Sequence, residues 1–172
     1  MKKVCLVAAV FVGFAFNTHA ALWKSREYRC AVNLPDGDPR ILPWYTLGSV
    51  EPETLVGARR SDKQAFVFLG YADMRNKPKF RLNDKSVEEL QSRFFGEGRA
   101  FRHSLQHVST NGLTGIRLNG SQLFEGFNYG LVVDFYQVGG FVYEVAAMKQ
   151  NEEYPAQDGE IRQFLGSFRL IN

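Results

Sequence analysis

The stretch GLVVDFYQVGGFVYEVAAM, residues 130–148, decides the fold. It is apolar or aromatic almost throughout, is broken at Gly139-Gly140, and carries only two charged residues, Asp134 and Glu144. A two-residue Gly-Gly loop is a hairpin signal, because the tight turns that match strand twist need positive φ at their centre. Such a turn sets Val138 opposite Phe141, Tyr136 opposite Tyr143 and Asp134 opposite Val145. Side chains alternate along a strand, so Val132, Asp134, Tyr136, Val138, Phe141, Tyr143, Val145 and Ala147 share one face. Leu131, Val133, Phe135, Gln137, Val142, Glu144, Ala146 and Met148 share the other. A sheet wet on one side would alternate apolar and polar residues. This hairpin does not, so both of its faces must be covered.

Two helical patterns supply the covers. In SVEELQSRFFG, Ser86 followed three residues later by Glu89 fits a capping box, Val87, Leu90 and Phe94 fall on one face, and Gly96 is a stop. Near the end of the chain Asp158 is a natural N-cap, and Ile161, Phe164, Leu165 and Phe168 recur at i, i+3, i+4 and i+7. The expected fold is therefore α+β, a three-layer α/β/α sandwich with a central antiparallel sheet, forming a single domain over residues 21–172.

Other strands are expected around this centre. Tyr28, Cys30, Val32 and Leu34 alternate with Arg29, Ala31 and Asn33, which points Cys30 into the core, and the turn residues 35–39 end that strand. Residues 43–47 with Trp44, residues 54–59 and residues 64–72 are further candidates, as are 100–109 and 112–121, joined at Thr110-Asn111-Gly112. Residues 74–82 are basic and interrupted by Pro78, hence a loop, and long loops inside compact domains often carry function.

The N-terminus has the layout of a secretory signal peptide over residues 1–20: Lys2 and Lys3, an apolar run from Val4 to Phe16, then a polar end with Thr18 and Ala20 before the cut. The expected mature chain runs from Ala21 to Asn172 and is exported, to the periplasm or the cell exterior. Loss of Lys2 and Lys3 leaves 19 basic against 18 acidic residues, a net charge of +1. That gives no electrostatic reason to bind nucleic acid or an anionic membrane. One cysteine, Cys30, remains, and it cannot form an intramolecular disulfide.

Few residues carry chemistry. His103 and His107 are four apart and could share a face, which makes a metal site thinkable; they lack the Glu of H-E-x-x-H and a third ligand nearby. Glu88 and Glu89 are adjacent on a helix and do not face each other, and Asp134 and Glu144 fall on opposite faces of the hairpin. If buried, those two acids need partners, for which Arg117, Arg102 or Tyr143 could serve. Asn119-Gly120-Ser121 matches a glycosylation acceptor. The sequence has no nucleophile elbow, phosphate-cradling glycine loop, C-x-x-C or dinucleotide fingerprint.

An exported chain with a strand ending in Asn33-Leu34-Pro35, a hydrophobic strand, a mid-chain helix, NGLTGIRLNG, a strand pair ending in GFVYEVAAM, and a closing helix with Phe164-Leu165-Gly166-Ser167-Phe168 resembles the PsbP-like superfamily. The resemblance spans roughly residues 27–170, and its motifs are short and apolar, so they speak to the fold. It implies a non-enzymatic accessory protein without a cofactor, one that binds and stabilises a protein partner. Trp44, Tyr45, Arg75, Lys77, Lys79 and Arg81 are the candidate partner contacts, since aromatic and Arg residues are favoured interface anchors. A small-ligand or metal carrier built around His103 and His107 stands as the alternative, and a hydrolase with a site of no known motif as a third.

Overall fold

A computed structural model describes residues 21–35, 53–60, 64–88, 100–124 and 126–172. The expected signal segment 1–20, the candidate strand 43–47 and most of the mid-chain helix lie outside the described residues.

The central hairpin forms as read. Strands β7 (Phe127–Val138) and β8 (Phe141–Gln150) pair antiparallel with Val138 opposite Phe141, Tyr136 opposite Tyr143 and Asp134 opposite Val145. Gly139 supplies the positive φ of the turn, +59°. The hairpin sits in the middle of a six-stranded antiparallel sheet of order β3-β4-β8-β7-β6-β5, where β3 is Glu53–Arg60, β4 Ala65–Asp73, β5 Ala100–Thr110 and β6 Leu113–Phe124. Asn111 and Gly112, with φ of +49° and +79°, make the tight turn between β5 and β6.

Each face of this sheet is buried under its own cover. On one face Phe66, Phe68, Ile116, Leu118, Leu131, Val133, Phe135, Val142, Ala146 and Met148 form a core with Val87, Met74, Phe80 and Leu82 packed over it. Val87 belongs to α1, whose described part is residues 84–88. Its cap is one turn earlier than the sequence suggests. Asn83 is the N-cap, its Oδ1 accepting from Ser86 N at 3.0 Å while Ser86 Oγ accepts from Asn83 N at 2.8 Å. Asn is as good an N-cap as Ser, and here the two residues reciprocate as in a capping box.

The other face departs from the expected single helix. The segment 28–34 does not join the central sheet. Its strand β2 (Cys30–Leu34) pairs with β1 (Ala21–Ser25) and with the short β9 (Arg169–Leu170) in a separate three-stranded sheet. Cys30, Val32 and Leu34 then pack together with helix α2 (Gly159–Ser167) against Val56, Ala58, Val67, Leu69, Val132, Tyr136, Tyr143, Val145 and Ala147. Helix α2 has the expected cap, with Asp158 Oδ1 accepting from Glu160 N and Ile161 N, and buries Ile161, Phe164 and Leu165; it ends at Ser167, so Phe168 of the expected stripe is buried from an extended C-cap. The fold is thus α+β and dominated by antiparallel sheet, and on this side the cover is a small sheet and a helix together.

Close approach at Gly130 ties the chain after β8 to the sheet. A methyl group there would overlap the Glu152 carbonyl and touch Pro155. Gly130→Ala is therefore expected to cost about 1–3 kcal/mol by overpacking, read as a lower urea midpoint with an unchanged slope.

Candidate functional site

At the Gly139–Gly140 end of the sheet, several elements converge on an open cleft of about 910 Å³. Its lining comes from the β1–β2 turn (Glu27, Tyr28, Arg29), the end of β4 and the residues after it (Tyr71, Asp73, Arg75), the central hairpin (Val138, Gly139, Phe141, Tyr143) and residues 170–172.

The walls are aromatic and mutually braced. Tyr71 lies edge-on to Tyr28 with centroids 4.9 Å apart, stacks on Phe141 at 5.2 Å, and meets Tyr143 edge-on at 5.5 Å. These spacings fall in the favourable range for aromatic pairs. Tyr143 donates its hydroxyl to the Tyr28 carbonyl at 2.9 Å, and burial pushes its pKa up to about 12, so its hydroxyl stays a donor that fastens the β1–β2 turn to the sheet. Ile171 N donates to Arg29 O at 2.9 Å, and Arg29 holds φ at +50°.

Arg75 forms the opposite rim. Its Nε donates to Asp73 Oδ1 and Oδ2 at 3.0 Å each and its Nη2 to Oδ2 at 2.6 Å, while its guanidinium carbon lies 5.0 Å from the centre of the Phe141 ring. The hydrogen bonds from Arg75 hold the Asp73 carboxyl below its ordinary range. The Arg75 stem runs over Gly140, where a Cβ would come within 2.6 Å of Arg75 Cγ. Met74 N donates to Gly140 O at 2.8 Å, and Leu82 N to Gln137 Oε1 at 2.7 Å. The basic loop 74–82 is thus rooted on the central hairpin at both ends.

The candidate contacts read from the sequence divide accordingly. Arg75 lines the cleft, and Lys77, Lys79 and Arg81 are exposed on the adjoining loop. Arg81 also braces that loop, its Nη1 donating to Pro78 O at 3.0 Å and Phe80 O at 2.7 Å. Trp44 and Tyr45 lie outside the described residues. His103 and His107 are both on β5, outside the cleft lining; a register shift between Arg102 and Ser104 breaks the strict alternation at His103, and His107 is exposed. Among the described residues no three metal-ligating side chains cluster. Asn119 is buried, donating from Nδ2 to Ser104 Oγ at 3.1 Å, which leaves it a poor glycan acceptor. Cys30 is fully buried, and burial pushes its thiol up to about 12, the state of an inert cysteine.

The two hairpin acids lie on opposite faces, as their register requires. Asp134 is held by Arg117, with Nε on Oδ1 at 2.6 Å and Nη2 on Oδ2 at 2.7 Å, and Tyr136 donates to Oδ2 at 3.3 Å. Arg117 is its direct cross-strand neighbour. Glu144 is buried, its Oε1 has no hydrogen-bond partner among the described residues, and burial raises its pKa well above the ordinary carboxylate value. Neither acid lines the cleft.

No protein-family model matches the chain, and no curated protein matches it. Solved structures do. Cyanobacterial PsbP (CyanoP) from Synechocystis sp. PCC 6803 matches with a TM-score of 0.63 at 10% identity, over 96% of this chain and 98% of that one. The Ran-binding protein Mog1p of Saccharomyces cerevisiae matches with a TM-score of 0.54 at 12% identity, over 88% and 95% of the two chains. PA94 of Pseudomonas aeruginosa, a protein of unknown function, matches with a TM-score of 0.50 at 15% identity, over 87% and 95%. The chain has the PsbP-like fold, as the sequence resemblance implied.

Two stability predictions follow from the acids. Arg117→Ala strands the buried Asp134 carboxylate and is expected to cost about 3 kcal/mol in denaturant unfolding. Glu144 has a folded pKa above its unfolded one, so its contribution is fully present below about pH 4.5 and is lost as pH rises through the folded value. Glu144→Gln removes that slope. Its stability relative to the parent should shift in its favour between about pH 4 and pH 8, as read from parallel denaturant titrations.

Proposed function

We propose that this chain is an exported, non-enzymatic accessory protein that holds a protein partner at the cleft and its adjoining basic loop. In this reading residues 1–20 are a removable signal peptide and residues 21–172 a single PsbP-like domain, its sheet sandwiched between α1 on one face and α2 with the small sheet on the other. The site acts in the envelope or outside the cell, with no cofactor and no nucleic acid. Among the described residues no helix is long and apolar enough to cross a membrane, which is compatible with that placement.

The observation that carries the proposal is the braced aromatic wall of Tyr28, Tyr71, Phe141 and Tyr143 with a guanidinium laid on it. Aromatic and Arg side chains fixed in advance lose little conformational freedom on binding, which is what anchors a protein interface. The polar groups of the cleft support the same reading. Asp73 is engaged by Arg75 and Tyr143 by the Tyr28 carbonyl, so they hold the walls and are not poised to transfer protons. Mog1p, described as Ran-binding, supports the fold's capacity to present a protein-binding surface. Arg75, Lys77, Lys79 and Arg81 are assigned to the contact, and Trp44 and Tyr45 are retained as candidates beside them.

The test is site-specific photocrosslinking in the cells that make the protein. A benzoylphenylalanine at position 141 is expected to give one discrete protein adduct, and the same group at exposed Gln163 on α2 to give none. Equal labelling at both positions, or no adduct at position 141, overturns the proposal. Amino-terminal sequencing of the exported form should read from Ala21.

A further inference from the structure

We propose that the segment docked in the cleft is acidic: an extended stretch of the partner that places an apolar or aromatic side chain against Tyr71 and Phe141 and carboxylates against Arg29 and the basic loop. The proposal rests on the reading of the cleft as a protein-docking site and adds the chemistry of its occupant.

The argument is one of charge placement. The mature chain as read above is nearly neutral, at 19 basic and 18 acidic residues. The two segments that frame the cleft are not. The β1–β2 turn brings Arg26 and Arg29, and the loop after β4 brings Arg75, Lys77, Lys79 and Arg81, against Glu27 and Asp73 alone. Six cations and two acids at one end leave a local surplus of +4, so the remainder of the mature chain carries a surplus of acid. The loop is pinned to the hairpin through Gly140 and Gln137, so these charges keep a fixed relation to the aromatic wall.

One of the two acids is already neutralised. Asp73 is bound by Arg75 Nε and Nη2, and Arg75 Nη1 makes no hydrogen bond among the described residues. The guanidinium therefore keeps donors available to a ligand oxygen while its carbon sits over the Phe141 ring. Arg29 is exposed on the other side of the same ring cluster. Two donors flanking an apolar floor match a segment whose carboxylates flank an apolar residue, and complementary potential of this kind governs which partners dock and how fast.

The test uses the full chain and three short synthetic peptides in which a single Leu is flanked by Glu, by Gln or by Lys, followed by amide chemical-shift mapping. The Glu peptide is expected to shift Tyr28, Arg29, Tyr71 and Phe141, the Lys peptide to leave them unmoved, and the affinity of the Glu peptide to fall at least about threefold when salt is raised from about 0.05 to about 0.3 M. Arg29→Asn, which keeps a residue tolerant of positive φ, and separately the double change Lys77→Glu with Lys79→Glu, should each weaken that peptide at least about tenfold without moving the unfolding midpoint. Equal affinity for the Glu and Gln peptides, or shifts outside the cleft, overturns the proposal. So does binding to vesicles of phosphatidylcholine and phosphatidylglycerol that competes with the Glu peptide, or a concentration-dependent dimer closed across the cleft. A crosslink at position 141 to a partner, with no preference among the peptides, sinks the acidic occupant and leaves the docking reading standing; loss of the crosslink sinks both.

Discussion

Everything in this fold answers to the burial of the central hairpin on both faces. Strands β7 and β8 carry Val132, Tyr136, Tyr143 and Val145 toward one cover and Leu131, Val133, Phe135 and Val142 toward the other, each nearly or wholly removed from water. Each such side chain is worth about 1.5–3 kcal/mol when fully buried, so leaving either face wet would forfeit a large part of the stability a domain of this size possesses. The same constraint governs the acids. A charge in the middle of such a sheet must be paired or given up. Asp134 is paired by the guanidinium directly across the strand, and Glu144, with no partner for Oε1 among the described residues, is driven by burial toward its neutral form.

The hairpin, its register and its two faces were legible because the information is local. Gly139-Gly140 fixes the turn, the turn fixes the pairing, and period-two alternation then assigns each residue to a face. The closing helix was legible for the same reason, with Asp158 as cap and an apolar stripe at helical spacing. What escaped was long-range. Nothing in the pattern of residues 28–34 says whether that strand joins the central sheet or lies across it, because an apolar stripe packs equally well in either place. The start of α1 is ambiguous in sequence for a different reason: Asn83 and Ser86 are both good caps, and only the reciprocal bonds between them show which one precedes the helix.

The cleft was even less visible. Tyr28, Tyr71 and Phe141 come from three strands or turns far apart in sequence, and in each local pattern they read as ordinary strand residues. Arg75 is visible in the sequence as part of a basic loop, but its attachment to Asp73 and Phe141 depends on the hairpin turn lying beneath it. The histidine pair shows how a spacing with chemical meaning depends on the ladder around it. Four-residue separation suggests a shared face only where the ladder is regular, and the shift between Arg102 and Ser104 interrupts it.

A mismatch of lengths explains why an opening lies at this end. Strands β7 and β8 have 12 and 10 residues, whereas β1, β2 and β9 above them have 5, 5 and 2. At about 3.3 Å per residue the hairpin runs roughly 35 Å and the small sheet roughly 16 Å, so the small sheet cannot cover the whole of that face. Helix α2 takes part of the remainder through Ile161, Phe164 and Leu165. At the turn end the ladder of β2 with β9 stops at Cys30 opposite Leu170, and beyond it the described cover is the ring cluster together with Val138 and residues 170–172. Tyrosine suits such a margin because its ring can pack while its hydroxyl reaches a polar partner, as Tyr143 does at the Tyr28 carbonyl. The half-covered aromatic wall is thus a consequence of laying a short sheet over a long hairpin, and the cations of the neighbouring turn and loop give that margin its chemical character.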